Sequence, residues 1–285
     1  MATFRLSDFS VVDVRGDDAT KILNNLTTAD LSGLAIGGVT ETFVTEVRGR
    51  TLGHGYVRRE NDGLRFVGPP GQSDAVRRHI EKYTIREDAR AEVVEASIVV
   101  DGPPEAGADL GGANDGNEAE GAGAWPAAWL GPGTTLRVIE GIAAGEVEPE
   151  RHEGAADFHD RRIVAGYPWH GVDFDDANLP QEVGRDDAAI SFTKGCYLGQ
   201  ETVARLDALG QVQKQLRRVR IEQPDATLRP GDTFAKEGKP VLKITSVTTD
   251  GSMAIAMIRR GHFDPGNVVE AVDGSGRTLV ATVET

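Results

Sequence analysis

From residue 216 onward the chain carries a single periodicity, that of β-strands. LRRVRI, KPVLKITSV, SMAIAMIRR, NVVEAV and RTLVATV follow one another, parted by Lys236-Glu237-Gly238, Asp250-Gly251 and Asp273-Gly274-Ser275-Gly276. Short strands broken by such turn residues close on one another as a small antiparallel barrel or sandwich of about 70 residues. The sequence before them mixes helical and strand periods, so the fold class is α+β. The natural cut lies near residues 210–216, between a segment 1–212 and a segment 213–285, and a chain of 285 residues accommodates both.

Residues 8–14 alternate around Phe9, Val11, Val12 and Val14 as a half-buried strand does. Gly16, Asp17 and Asp18 supply turn and cap chemistry for a following helix that sets Ala19, Ile22, Leu23 and Leu26 on one face. Residues 39–47, 51–58 and 64–67 read as strands, the last two joined by the hairpin signal Asn61-Asp62-Gly63. Val76, Ile80 and Tyr83 mark an amphipathic helix over residues 73–83, and residues 91–100 read as one further strand. Composition then changes. Residues 101–133, with GGANDGNEAEGAGA at their centre, lack the apolar residues a core needs; they are expected to form a mobile surface insertion whose far end Trp125 and Trp129 pin to the body. A strand over 136–139, a helix over 158–164 and a short buried strand over 188–192 complete this part.

Charge narrows the function. The 31 Lys and Arg stand against 45 Asp and Glu, a formal net charge of −14, which argues against nonspecific phosphate binding and against nucleic acid as a direct partner. Only seven of the basic residues are Lys. A Lys-poor, acid-rich surface suits a halophilic cytoplasm, because at molar salt the Debye length falls to about 3 Å and like charges tolerate one another. No apolar run approaches the roughly 20 residues that span a bilayer. The first residues, MATFRLSDFS, have no secretory pattern, so no membrane partner and a cytoplasmic location are expected. The single cysteine, Cys196, excludes an internal disulfide and a cysteine-cluster metal site within one chain.

That cysteine lies in the most informative stretch, ISFTKGCYLGQETVAR, residues 190–205. An apolar strand is expected to run into Lys194-Gly195-Cys196, with a helix starting at Tyr197 or Leu198. Cys196 then sits at a strand-to-helix turn. A helix terminus and the neighbouring Lys194 ammonium both stabilise a thiolate, which makes the sulfur reactive. Glu201 and Arg205 are four apart in the order that favours pairing on one helix face. A lone cysteine also has a plain reading as a small buried hydrophobe.

KGCYLGQE resembles the signature of the YgfZ family of folate-binding proteins, relatives of the aminomethyltransferase (T protein) of the glycine cleavage system; its residues here are Lys194, Gly195, Cys196, Tyr197, Gly199, Gln200, Glu201 and Arg205. Leu26-Thr27-Thr28-Ala29-Asp30, Arg162-Ile163-Val164-Ala165-Gly166-Tyr167-Pro168, Leu179-Pro180-Gln181-Glu182 and Lys243-Ile244-Thr245-Ser246-Val247 agree with it. The resemblance implies an aminomethyltransferase-like multi-domain ring around a central cavity, ending in a C-terminal antiparallel β-barrel. It implies tetrahydrofolate or a one-carbon derivative as ligand, held by residues 1–212. The implied partners are iron–sulfur proteins or their assembly factors, and the implied role is their maturation or repair, which affects tRNA modification indirectly. Cys196 and Lys194 would carry any chemistry. Phe9 and Phe158 would stack on folate, Thr28, Asp30 and Glu182 would make polar contacts, and Arg162 and Tyr167 would complete the folate set. Beside this stand plainer readings, with Phe9 and Phe158 as core and Asp30 and Glu182 as caps.

Two departures bear on activity. The aminomethyltransferase pattern places acidic residues after the hairpin glycine, whereas here Gly49-Arg50-Thr51-Leu52-Gly53-His54-Gly55 has no carboxylate; without one, proton management during methylene transfer loses its central group. His54 is the only side chain of that run with a base's chemistry. Val164 replaces a Glu found in many relatives, which bears on folate affinity. His152, Asp157, His159 and Asp160 match no known metal spacing, so no metal is expected. Arg161-Arg162, Arg217-Arg218 and Arg259-Arg260 with His262 could meet phosphate or carboxylate, or simply face solvent.

Overall fold

Three antiparallel sheets organise the chain. The computed structural model describes residues 3–102, 123–140, 155–209 and 212–284. The first half runs β1 (Thr3–Leu6), β2 (Ser10–Arg15), α1 (Ala19–Leu26), β3 (Val39–Thr45), β4 (Thr51–Glu60), β5 (Gly63–Gly68), α2 (Ser73–Tyr83), β6 (Arg90–Val93), β7 (Ala96–Asp101), β8 (Trp125–Pro126) and β9 (Thr135–Glu140). Four helices follow, α3 (Ala155–Val164), α4 (Pro180–Val183), α5 (Asp186–Ala189) and α6 (Gln200–Leu209). The chain ends in β10 (Lys214–Ile221), β11 (Thr233–Lys236), β12 (Lys239–Val247), β13 (Met253–Arg259), β14 (Val268–Val272) and β15 (Thr278–Val283).

One sheet has the order β3-β4-β5-β2-β6 and carries α1 and α2. The helical spacing of Ala19, Ile22, Leu23 and Leu26 is what lets α1 bury one stripe on it, together with Val76 and Ile80 of α2. Glu60 pairs with Gly63, so Asn61 and Asp62 form the two-residue turn expected of that sequence. The second sheet, β1-β7-β9-β8, buries an aromatic core of Phe4, Phe9, Trp125, Trp129, Phe158 and Trp169. Trp125 and Trp129 thus do anchor the end of the Gly-rich stretch, while its residues 103–122 lie outside the described part.

The third sheet closes as β10-β13-β12-β11-β14-β15. It is the barrel, not the sandwich, of the two architectures the strand pattern allows. Closure pairs every strand on both sides and leaves no edge. Strand β11 escapes a periodicity scan because TFAK has one buried apolar side chain, Phe234.

Two expectations are corrected. Residues 91–100 are two strands in different sheets, because Ala91 faces one core while Ile98 and Val100 face the other, and the chain must turn between them. Residues 188–192 are not a strand. Asp186 and Asp187 open a single helical turn, Ala188 and Ala189 continue it, and the Ile190 amide donates to the Asp186 carbonyl at 3.0 Å. No described helix is long and apolar enough to cross a membrane.

Candidate functional site

The KGCYLGQE segment lies across the turn between β3 and β4. Its anchor is Lys194, buried to 8% exposure, whose Nζ donates to the carbonyls of Asn24 (2.7 Å), Thr27 (2.8 Å) and Ala29 (2.6 Å). Those carbonyls belong to the last turn of α1 and the residues just after it, where the chain lacks amide partners and the helix dipole favours a cation. The ammonium also sits 5.2 Å from the Tyr197 ring centre. Burial draws its pKa down to about 8. All three ammonium hydrogens go to backbone oxygens, so Lys194 acts as a strut for the segment that carries Cys196.

Further bonds hold the segment. The Leu198 amide donates to the Asn25 carbonyl at 2.8 Å, and Thr45 Oγ1 donates to the Leu198 carbonyl at 2.6 Å. Gly199, at φ +83°, lies so close to the hairpin that a Cβ would stand 2.5 Å from Gly49 Cα. Gly49 itself has φ +79°, a conformation that L side chains avoid. Between these fixed points Gly195 and Cys196 face solvent, and the Cys196 thiol is free. Helix α6 starts at Gln200, later than expected, because Gly199 breaks the helical path. Glu201 and Arg205 are exposed on its first turns.

Behind the hairpin His54 and Tyr167 meet Glu41, Tyr56 and Arg185, three residues that sequence reading missed. Glu41 on β3 is 5% exposed and accepts from Arg185 Nε at 2.9 Å, Arg185 Nη2 at 2.5 Å and Tyr56 OH at 3.3 Å, and pairs with His54 Nε2 at 2.8 Å. Burial would raise its pKa, but the bonds from Arg185 and His54 outweigh this and bring it to about 2. His54 is fully buried, stacked 4.6 Å from Phe43 and 5.7 Å from Tyr167. The Arg185 guanidinium lies 5.0 Å from the Tyr167 ring centre. A signal for this cluster did exist. Glu41 has the parity of Phe43 on its strand, and the register places it opposite Tyr56 and Phe43 opposite His54, so a charge is aimed into the core with a partner set waiting.

The expected folate residues fall into separate places. Phe9 and Phe158 both meet Trp169, at 5.7 and 5.3 Å, and Phe9 also meets Trp129 at 5.2 Å. Their exposures are 7% and 1%, so their faces are closed by other rings. Thr28 donates to the Ala189 carbonyl at 2.6 Å and receives the Phe43 amide at 3.0 Å, tying α5 to β3. Asp30 is exposed and caps its own turn through the amide and hydroxyl of Ser32. Glu182 accepts from Asn178 Nδ2 at 2.7 Å and from the Leu179 amide at 3.4 Å, which stabilises the start of α4. Arg162 is buried and donates to Asp173 (2.8 Å), Ser246 Oγ (2.7 Å), His159 Nδ1 (2.8 Å) and the Tyr167 carbonyl (3.2 Å). Val164 is half exposed at the end of α3. A cavity of about 570 Å³ opens beside the β3–β4 turn, with Arg48, Arg50, Thr51, Gln72, His170 and Asp176 in its lining. Gln72 ties it to the buried cluster, since its Oε1 accepts the His54 amide at 2.6 Å. Burial lowers the pKa of His170 to about 4, so its ring is neutral near pH 7. Among the described residues no group of three His, Cys, Asp or Glu is placed to hold a metal; His152 lies outside them.

Mixed helices and sheets ending in a closed six-stranded barrel are the architecture this chain shares with a solved aminomethyltransferase. The glycine cleavage system aminomethyltransferase T of Bartonella henselae superposes with a TM-score of 0.79 over 100% of this chain and 85% of that one, at 17% identity. In sequence the chain is homologous to the iron–sulfur cluster assembly factor IBA57 of human mitochondria, 28% identical over 99% of this chain and 84% of that protein. It is likewise homologous to the tRNA-modifying protein YgfZ of Sodalis glossinidius, at 24% identity over 96% of this chain and 89% of that protein. A chloroplastic protein of Arabidopsis thaliana that carries a transferase name is 36% identical over 93 residues, 32% of this chain and 19% of its own length. No protein-family model matches the chain.

Proposed function

We propose that this protein is a cytoplasmic, tetrahydrofolate-binding accessory factor in the maturation or repair of iron–sulfur proteins, acting on tRNA modification through iron–sulfur enzymes. The observation that carries the reading is the placement of the only thiol: Cys196 is exposed on a segment that Lys194, Thr45 and Gly199 fix against the hairpin. A surface thiolate is a nucleophile toward sulfur and a ligand for iron, and the names of IBA57 and YgfZ join iron–sulfur assembly to tRNA modification. For the folate, the closed faces of Phe9 and Phe158 offer no stacking site, whereas the 570 Å³ cavity beside the hairpin has the size of a small-molecule site. There Arg48 and Arg50 suit the glutamate carboxylates, and Gln72, His170 and Asp176 suit the pterin edge. Aminomethyl transfer is the weaker reading, since the run Gly49 to Gly55 carries no carboxylate and Glu41, opposite it on β3, is buried and bound by Arg185.

Cys196→Ala should abolish complementation of a strain lacking the factor while leaving Tm unchanged; parallel loss of both would assign the thiol to packing and overturn the proposal. Calorimetric titration of the whole protein with tetrahydrofolate at high salt should give saturable heat that Arg50→Ala weakens about tenfold. Absence of heat would leave an interaction scaffold, and turnover of an aminomethylated carrier would establish a transferase.

A further inference from the structure

The outer wall of the barrel contains a second cavity, of about 460 Å³, between β10, β11, β12 and β13. Its lining includes Lys214, Lys243, Arg259 and Arg260 and no carboxylate. In a chain with 45 acidic and 31 basic residues, four cations around one hollow are an inversion of the surface as a whole. The register makes the arrangement costly: Lys214 stands directly opposite Arg259 on paired strands, where like charges repel. Among the described residues the one carboxylate that answers this group is Glu182, 3.5 Å from Lys214 and already bonded to Asn178. Lys243, Arg259 and Arg260 are exposed. The apolar part of the lining is Pro240 and Met257, over Val241 and Leu242 of the barrel core, while Thr233 adds a hydroxyl.

We propose that this hollow binds the di- or triphosphate group of a nucleotide-sized molecule, with Pro240 and Met257 receiving its organic part. Charge density selects this class. A polyphosphate carries three or four negative charges within the volume that four cations surround. An acidic peptide carries one per residue and would spread four over roughly 13 Å of extended chain. The acidic remainder of the surface repels a long polyanion such as a nucleic-acid strand but leaves a small one free to enter. The size lies within the range of small-molecule sites.

The test uses the full chain in calorimetric titrations with ADP, inorganic pyrophosphate and adenosine. ADP should bind saturably, one per chain, pyrophosphate more weakly, and adenosine not at all. Lys243→Glu with Arg259→Glu should weaken ADP at least tenfold, and the milder Lys243→Gln with Arg259→Gln at least threefold with Tm unchanged. Arg86→Glu, a remote exposed substitution that changes the charge by two, as the glutamine pair does, should leave ADP affinity within twofold. No saturable heat with either phosphate compound, or equal weakening by the remote change, would overturn the proposal. So would a single-stranded oligonucleotide or an acidic peptide that binds at the same residues more tightly than ADP.

Discussion

Lys194 and Glu41 each place a full charge inside the protein, and each is tolerable because its partners are complete. Removing the ammonium by Lys194→Met leaves three buried carbonyls without a donor. The expected cost is about 3 kcal/mol in urea denaturation, with faster amide exchange confined to the residues around 190–199. Glu41 has a pH signature as well. Its folded pKa of about 2 lies below the ordinary 4.5, so its contribution is fully present above pH 4.5 and is lost as pH falls toward 2. Glu41→Gln strands the Arg185 guanidinium; at pH 7 it should cost about 3 kcal/mol, and the variant's stability should vary less than the native protein's between pH 4.5 and 2. Both residues show the limit of local reading. The Lys194 bonds reach 165 to 170 residues back along the chain, and Glu41 meets Arg185 across 144 residues. Spacing within a motif points only to neighbours along the chain, and the carbonyls that Lys194 bonds are not among them.

At the level of elements, the motif is held by close approach of two backbones. Gly199→Ala introduces a methyl group where Gly49 already stands, at a backbone angle an alanine resists. It should lower stability by about 2 kcal/mol and raise the rate at which a thiol reagent labels Cys196, as the turn lifts from the hairpin; an unchanged labelling rate would mean that the hairpin does not govern the thiol. Elements with strong period were legible in advance. Helix α2 falls on Ser73–Tyr83 as its amphipathic spacing indicates, and the barrel strands with alternating side chains fall where the alternation does. Short elements were not. Four residues, as in α5 or β11, give too few repeats to define a period, and their conformation is decided by what they pack against.

Across the whole molecule, a buried ion pair helps to join the barrel to the rest. Asp173 accepts from Arg162 on α3, from the Trp169 amide at 2.8 Å, and from Thr245 and Ser246 on β12 at 2.6 Å each. Asp173→Asn leaves the buried guanidinium uncompensated and should cost about 3 kcal/mol. Its calorimetric melt should separate into two transitions as the barrel uncouples; one sharp transition at lower Tm would mean that apolar packing alone couples them. Arg162, which the resemblance assigns to the folate set, spends its guanidinium on His159, Tyr167, Asp173 and Ser246, partners that its place in the sequence does not reveal. The isolation of Cys196 also constrains how copies of the protein can become linked. Any oxidised dimer has a single possible bond, sulfur 196 to sulfur 196, which turns two motif loops toward each other about a twofold axis. Oxidation would then consume both thiols in one step, and a thiol reductant would return both.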